Sequence, residues 1–212
     1  WSKLDPNPTT SQYVQNLITQ VEQNGNEDTP SQQELQNMFN VPRIQFGTAG
    51  LRARMQPGLC GMNDLIVIQT AQGLAKYVEQ HNKKSSSTPL KAVVGYDHRS
   101  RTKFNLSSQQ FAIYTKLVFE KAGIQCILLD GFVATPILAY AVTNINAVLG
   151  IMVTASHNPK QDNGYKVYWN DGCQIRPPID EDIARTIDKE ENLLPWIDYG
   201  DQLHQLKQKA GG

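Results

Sequence analysis

The chain has 212 residues, 20 Lys+Arg against 20 Asp+Glu, and 40% hydrophobic residues. That length buries a sizeable core, and zero net charge excludes both the basic footprint of a nucleic-acid binder and an acidic solvating tail. Cys60, Cys126 and Cys173 are widely spaced and form no C-x-x-C pair, which excludes a disulfide framework and a zinc site and points to a reducing compartment.

The start, Trp1-Ser2-Lys3-Leu4-Asp5-Pro6, has no apolar signal region, no Arg-rich leader and no initiator Met. With an end at Ala210-Gly211-Gly212, the expectation is a piece of a longer protein. Ser11 to Asn24 sets Val14, Leu17, Ile18 and Val21 at helical spacing. Ser31-Gln32-Gln33-Glu34 has the form of a capping box opening a short helix through Met38 and Phe39. Together these predict a helical extension over residues 1–41, packed on the domain next to it. Ile44 and Phe46 alternate like a short strand, ahead of a loop rich in glycine from Gly47 to Gly61.

Asn63 caps a predicted helix over about 64–80, and Lys83 to Thr88 reads as a polar linker. Ala92 to Tyr96 is an apolar run predicting a buried strand that ends at Asp97. A helix over about 107–121 stops at Gly123, Ile124 to Leu129 is a strand, and Pro136 opens a helix to Val142. From Gly131 to Ser156 no residue carries a formal charge, but Pro136, Asn144, Asn146 and Gly150 interrupt the stretch. A buried helix followed by the strand Ala147–Val153 is expected there, not a membrane span. Gly164 to Trp169 alternates as a strand, Asn170-Asp171-Gly172 is a hairpin signal, and Pro178 opens a last helix to about Glu191. Alternating strands and helices predict an α/β fold, a mixed, mostly parallel sheet sandwiched between helices.

Thr154-Ala155-Ser156-His157-Asn158-Pro159-Lys160 follows a buried strand directly. Ligands gather at the carboxyl ends of such strands, and Asn158-Pro159 forces a turn that holds a hydroxyl outward. Lys166 on the returning strand can face Ser156 across that turn. The same residues also fit a plain ST-turn or helix cap, and on their own leave both readings open. A hydrolase triad is disfavoured, because G-x-S-x-G is absent around Ser156 and adjacent Ser156 and His157 point differently on an extended chain. In Phe46-Gly47-Thr48-Ala49-Gly50-Leu51-Arg52, two glycines, a hydroxyl and an arginine can cradle an anion, or form a glycine turn beside a surface Arg. Neither Walker A nor G-x-G-x-x-G is present. Asp97, in Gly95-Tyr96-Asp97-His98-Arg99, is read as a capping or orienting carboxylate.

These motifs carry a resemblance. Thr154 to Pro159 resembles the phosphoserine loop of the α-D-phosphohexomutase superfamily, Phe46 to Arg52 its N-terminal loop, and Asn163-Gly164-Tyr165-Lys166-Val167-Tyr168 the strand after the serine. The order matches, over about Ile44 to Trp196. The stretch Gln161 to Trp169 and Arg43-Ile44-Gln45-Phe46 are most similar to the eukaryotic phosphoglucomutase/phosphopentomutase and glucose-1,6-bisphosphate synthase branch. The resemblance implies a first domain over 42–196 and, over 197–212, the start of a linker to a second.

What the resemblance implies about chemistry is intramolecular phosphoryl transfer on hexose or pentose phosphates through a bisphosphate intermediate. Ser156 would carry the phosphoryl group, and Lys166 and His157 would join it as catalytic residues. Arg52, Ser156, His157, Asn158 and Lys166 would contact the sugar phosphate. Mg²⁺ would bind through the phosphoryl group on Ser156, and a glucose-1,6-bisphosphate-type activator would prime the serine. The implied setting is cytoplasmic, with sugar phosphates and the remaining domains as partners, and no nucleic acid or membrane. The family's D-x-D-x-D metal loop, sugar loop and C-terminal phosphate loop, features of its later domains, have no counterpart in this sequence. The chain alone is therefore expected to fold but to turn over weakly. A non-catalytic phosphosugar- or anion-binding module keeping the fold is the competing expectation.

Overall fold

The computed structural model describes residues 1–24, 29–47, 50–82 and 89–189. Helices α1 (Pro8–Asn24) and α2 (Pro30–Phe39) pack through Val14, Leu17 and Met38. The cap of α2 is Thr29, which accepts a hydrogen bond from the Gln32 amide, and not the Ser31 box expected. Pro30 explains the shift, because its ring pre-sets the first helical position and lacks an N–H to be satisfied. This pair is tied to the main body by polar contacts. Asn7 Nδ2 donates to Asp64 Oδ2 at 3.0 Å and to the carbonyl of Phe104 at 3.1 Å.

The remaining elements are β1 (Leu51–Arg54), α3 (Asp64–Asn82), β2 (Lys91–Tyr96), the short pair β3 (Ser100–Arg101) and β4 (Leu106–Ser107), α4 (Ser108–Lys121), β5 (Gln125–Leu128), α5 (Thr135–Asn144), β6 (Leu149–Val153), β7 (Asp162–Trp169) and α6 (Ile179–Asp188). The main sheet has the order β1-β7-β6-β2-β5. Strands β6, β2 and β5 are parallel, while β7 runs antiparallel to both β6 and β1. Four strands therefore share one direction and only β7 opposes them, the mixed, mostly parallel sheet expected.

The pleat sorts the side chains to two faces. Ala92, Val94, Leu149, Ile151, Val153, Tyr165 and Val167 join the main core beneath α3, α4 and α6. Val93, Met152 and Tyr168 face α5 with Leu138 and Val142. Small residues let α5 approach: a Cβ on Gly150 would lie 2.3 Å from Val142. The expectation of a buried α5 is corrected, because only Leu138 and Val142 are buried on it while Ile137 and Tyr140 are exposed. Among the described residues one helix covers that face, and its outer side packs on none of the other described elements.

Other differences are local. The strand expected at Ile44 and Phe46 forms instead within the stretch read as a glycine-rich loop, at β1. The Asn170-Asp171-Gly172 turn forms, with Gly172 at φ +74°, but its return is a single bridge from Tyr168 to Gln174. The linker 83–88 and the chain from 190 onward lie outside the described residues. No helix among the described residues is long and apolar enough to cross a membrane.

Candidate active site

Parallel strands β2 and β6 end side by side, Tyr96 opposite Val153. Their continuations, Asp97–Arg99 and Thr154–Asn158, therefore meet at one sheet edge. The loop from Thr154 to Gln161 reverses the chain into β7. Ser156 sits in it at φ +54°, the left-handed region that non-glycine residues avoid. A local bond holds it there, the Ser156 amide donating to Thr154 Oγ1 at 3.0 Å. Its hydroxyl side is exposed.

Lys166 reaches this hydroxyl. Its Nζ donates to Ser156 Oγ at 2.7 Å. The register puts Lys166 opposite Met152, on the α5 face of β7. Partial burial lowers the Lys166 pKa from the ordinary lysine value, and the neighbouring Arg52 charge lowers it further. Arg52 pairs with Gly164, two residues before Lys166, so both cations stand on one face of the sheet. Arg52 is exposed, and among the described residues no hydrogen bond joins it to Ser156. It contributes a charge beside Lys166 rather than a contact to the serine.

The glycine loop before Arg52 is positioned by close backbone approach. Gly47 and Gly50 exchange amide–carbonyl bonds of 3.0 and 2.7 Å. Gly50 has φ +98°, and a Cβ there would fall 1.8 Å from the Tyr165 carbonyl oxygen. Thr48 and Ala49 lie outside the described residues. Within the serine loop, the His157 side chain is exposed. Asn158 closes the turn, its amide donating to the Ala155 carbonyl at 3.0 Å and its Nδ2 to Asp162 Oδ2 at 3.2 Å.

Of the two roles open to Asp97, capping the next segment or orienting a base, the structure shows the structural one. Asp97 accepts from Thr154 Oγ1 and Ser108 Oγ at 2.6 Å each, and from the Arg99 backbone and Nε at 3.0 Å. Arg99 was not singled out from the sequence, yet its guanidinium lies inside the serine loop. It donates to the carbonyls of Ser156 at 2.7 Å, Pro159 at 2.8 Å, and Asn158 and Asp162 at 3.0 Å. Its place after Asp97 at a strand end was the only signal. Among the described residues no group of three or more His, Cys, Asp or Glu is placed to hold a metal ion.

Residues 43–194 match the model of phosphoglucomutase/phosphomannomutase, alpha/beta/alpha domain I. The chain belongs to this family. It is 45% identical to the phosphoribomutase of Saccharomyces cerevisiae over 98% of its own length, and 42% identical to the phosphopentomutase of Mus musculus over 92%. It spans 31% and 29% of the length of those relatives. A solved structure described as a putative phosphomannomutase from Thermus thermophilus superposes with TM-score 0.59 at 26% identity, over 73% of this chain and 32% of that one. The phosphohexomutase domain I fold expected from the motifs is thus the fold found.

Proposed function

We propose that the chain is the phosphoserine-bearing, N-terminal domain of a phosphosugar mutase, with the division 1–41, 42–196 and 197–212 belonging to that reading. The observation that carries it is the 2.7 Å contact between Lys166 Nζ and Ser156 Oγ, in a family matched over 43–194. When Ser156 Oγ attacks a phosphoryl group, the Oγ–P bond forms, the P–O bond to the donor sugar breaks, and the Oγ proton needs a base at hydrogen-bond distance. Lys166 occupies that position, and its lowered pKa favours the free amine that the role requires. The donor oxygen takes the proton in turn, and in the reverse sequence the phosphoryl group passes from Ser156 to the free hydroxyl of a sugar monophosphate, giving the bisphosphate whose other phosphoryl group then returns to Ser156. Afterwards the Arg52 guanidinium, joined by Lys166 once its amine takes a proton from solvent, offsets the negative charge of the phosphoserine. The exposed His157 is available to the sugar phosphate, whereas Asn158 shapes the loop.

Mg²⁺ would supply charge compensation at the phosphoryl group when bound. The described residues do not make its site. Asp97 and Asp162, the carboxylates of the loop network, are engaged by Arg99, Thr154, Ser108 and Asn158. Only the oxygens of a phosphoryl group on Ser156 remain, and the further ligands that a hard, oxygen-seeking cation needs belong elsewhere in the longer protein. A glucose-1,6-bisphosphate-type activator, hexose or pentose phosphate substrates and a cytoplasmic setting complete the proposal.

The test is phosphorylation of the full-length protein by glucose 1,6-bisphosphate with Mg²⁺, mapped by mass spectrometry. Phosphate on Ser156, with Ser156→Ala inactive, is the expected result. Phosphate on another residue while Ser156→Ala turns over normally would sink the assignment. Stable binding of sugar phosphates with no phosphorylation at all would instead favour the non-catalytic module.

A further inference from the structure

The geometry points to Arg99 as the positioning residue of the serine loop, a splint that fixes the loop's shape without touching the phosphoryl group. This rests on reading Ser156 as the reacting hydroxyl. A guanidinium carries five N–H donors. In Arg99 every one is committed. Nε serves Asp97, one terminal nitrogen serves the carbonyls of Pro159 and Asp162, and the other serves those of Ser156 and Asn158. None is left for a phosphate, and Asp97 at 3.0 Å offsets the charge. The Arg99 side chain is only 10% exposed.

The consequence for the loop is directional. A trans peptide sets its C=O and the following N–H on opposite sides. With the Ser156 and Pro159 carbonyls turned onto the guanidinium, the His157 and Lys160 amides are turned away from it. The same clamp holds the Ser156 carbonyl, and with it a residue at φ +54° that would otherwise relax to a commoner conformation. The clamp itself is anchored. Asp97 bonds Ser108 at the start of α4, Asn163 Nδ2 donates to Ser108 Oγ at 2.9 Å, and Thr154 bonds Asp97 from the end of β6. One partly buried pair thus locks the loop to three elements around it.

Amide hydrogen exchange on the 212-residue chain tests this without substrate, since the chain carries its own core. The reporters are the amides of Ser156, Asn158 and Asp162, which are bonded within the loop. The comparison set is Ile151 and Val153 in β6, paired on both sides. In Arg99→Lys, which keeps the charge and loses the fork, the loop amides should exchange at least about tenfold faster, the loss expected when a charge-assisted hydrogen bond is removed, while β6 stays protected. In Arg99→Ala, millimolar guanidinium ion should restore loop protection and ammonium ion should not. Unchanged loop amides in Arg99→Lys would overturn the assignment, and so would loss of protection in β6 by the same factor. In the full-length protein, Arg99→Lys should lower the rate of Ser156 phosphorylation with little change in KM for glucose 1,6-bisphosphate. If Arg99→Lys loosens the loop but wild-type Ser156 is never phosphorylated, the mutase reading fails and the splint stands.

Discussion

Lys166 is held against Ser156 by its place on β7, and its pKa is lowered by burial and by Arg52. A base of this kind gives a rate that rises with pH as the amine loses its proton, with the rise falling below the ordinary lysine range. Removing the Arg52 charge removes one of the two causes of the lowering. Arg52→Gln should therefore move the rising limb of Ser156 phosphorylation to higher pH, and a limb that stays put would show that Arg52 does not act on Lys166. Lys166→Met should slow phosphoryl transfer by about a hundredfold or more in a single-turnover assay. Ser156 itself is kept in a costly conformation. Both Ser156→Ala and Ser156→Gly lose the hydroxyl, but only glycine is at ease at φ +54°. In denaturant unfolding, Ser156→Gly should be more stable than Ser156→Ala by about 0.5–1 kcal/mol.

Among the elements, β1 and β7 bring Arg52 and Lys166 to the candidate site, and they show what a sequence reveals. β7 was visible because its apolar residues alternate, and Ser156, Lys166 and Asp97 because their motifs sit at strand ends. The sequence points to Ile44 and Phe46 rather than to β1, because the alternation of Leu51-Arg52-Ala53-Arg54 spans only four residues inside a glycine-rich stretch and is held as a strand by β7 beside it. Arg99 was unreadable for a similar reason, as its four carbonyl partners come from a loop remote in sequence. Contacts set by tertiary neighbours leave no local period. Gly50 is where β1 presses on β7. Gly50→Ala puts a methyl group 1.8 Å from the Tyr165 carbonyl at a φ of +98°. The variant should lose about 3 kcal/mol or more of stability, measured by chemical denaturation, and the exchange protection of β1 should fall first.

At the scale of the whole molecule, the N-terminal helices are joined to the body by buried polar groups, which makes their docking sensitive to pH. Burial raises the Asp5 pKa from 3.8 to about 6, against the lowering pull of its hydrogen bonds from Thr10 and Asn7. The folded state favours the protonated acid, so this contribution to stability is full below 3.8 and is lost as pH rises through about 6. Unfolding free energy should fall between about pH 4 and about pH 7 more steeply in the wild type than in Asp5→Asn. Equal slopes would place the pH dependence elsewhere.

The pairing of β1 with β7 also bears on how the domain is made. Leu51–Arg54 leaves the ribosome long before Asp162–Trp169, and every other strand of the sheet is synthesised in between. Arg52 therefore waits without a partner strand while β2, β5 and β6 can already pair in parallel. Contacts that close so long a stretch of chain form slowly, because the entropy of closure comes before the gain. Pulse-labelled refolding should show β1 amides protected last. Lys166 and the Arg52 charge beside it would then be united only in the final step of assembly, so that a nascent or partly folded chain presents Ser156 without either cation in place.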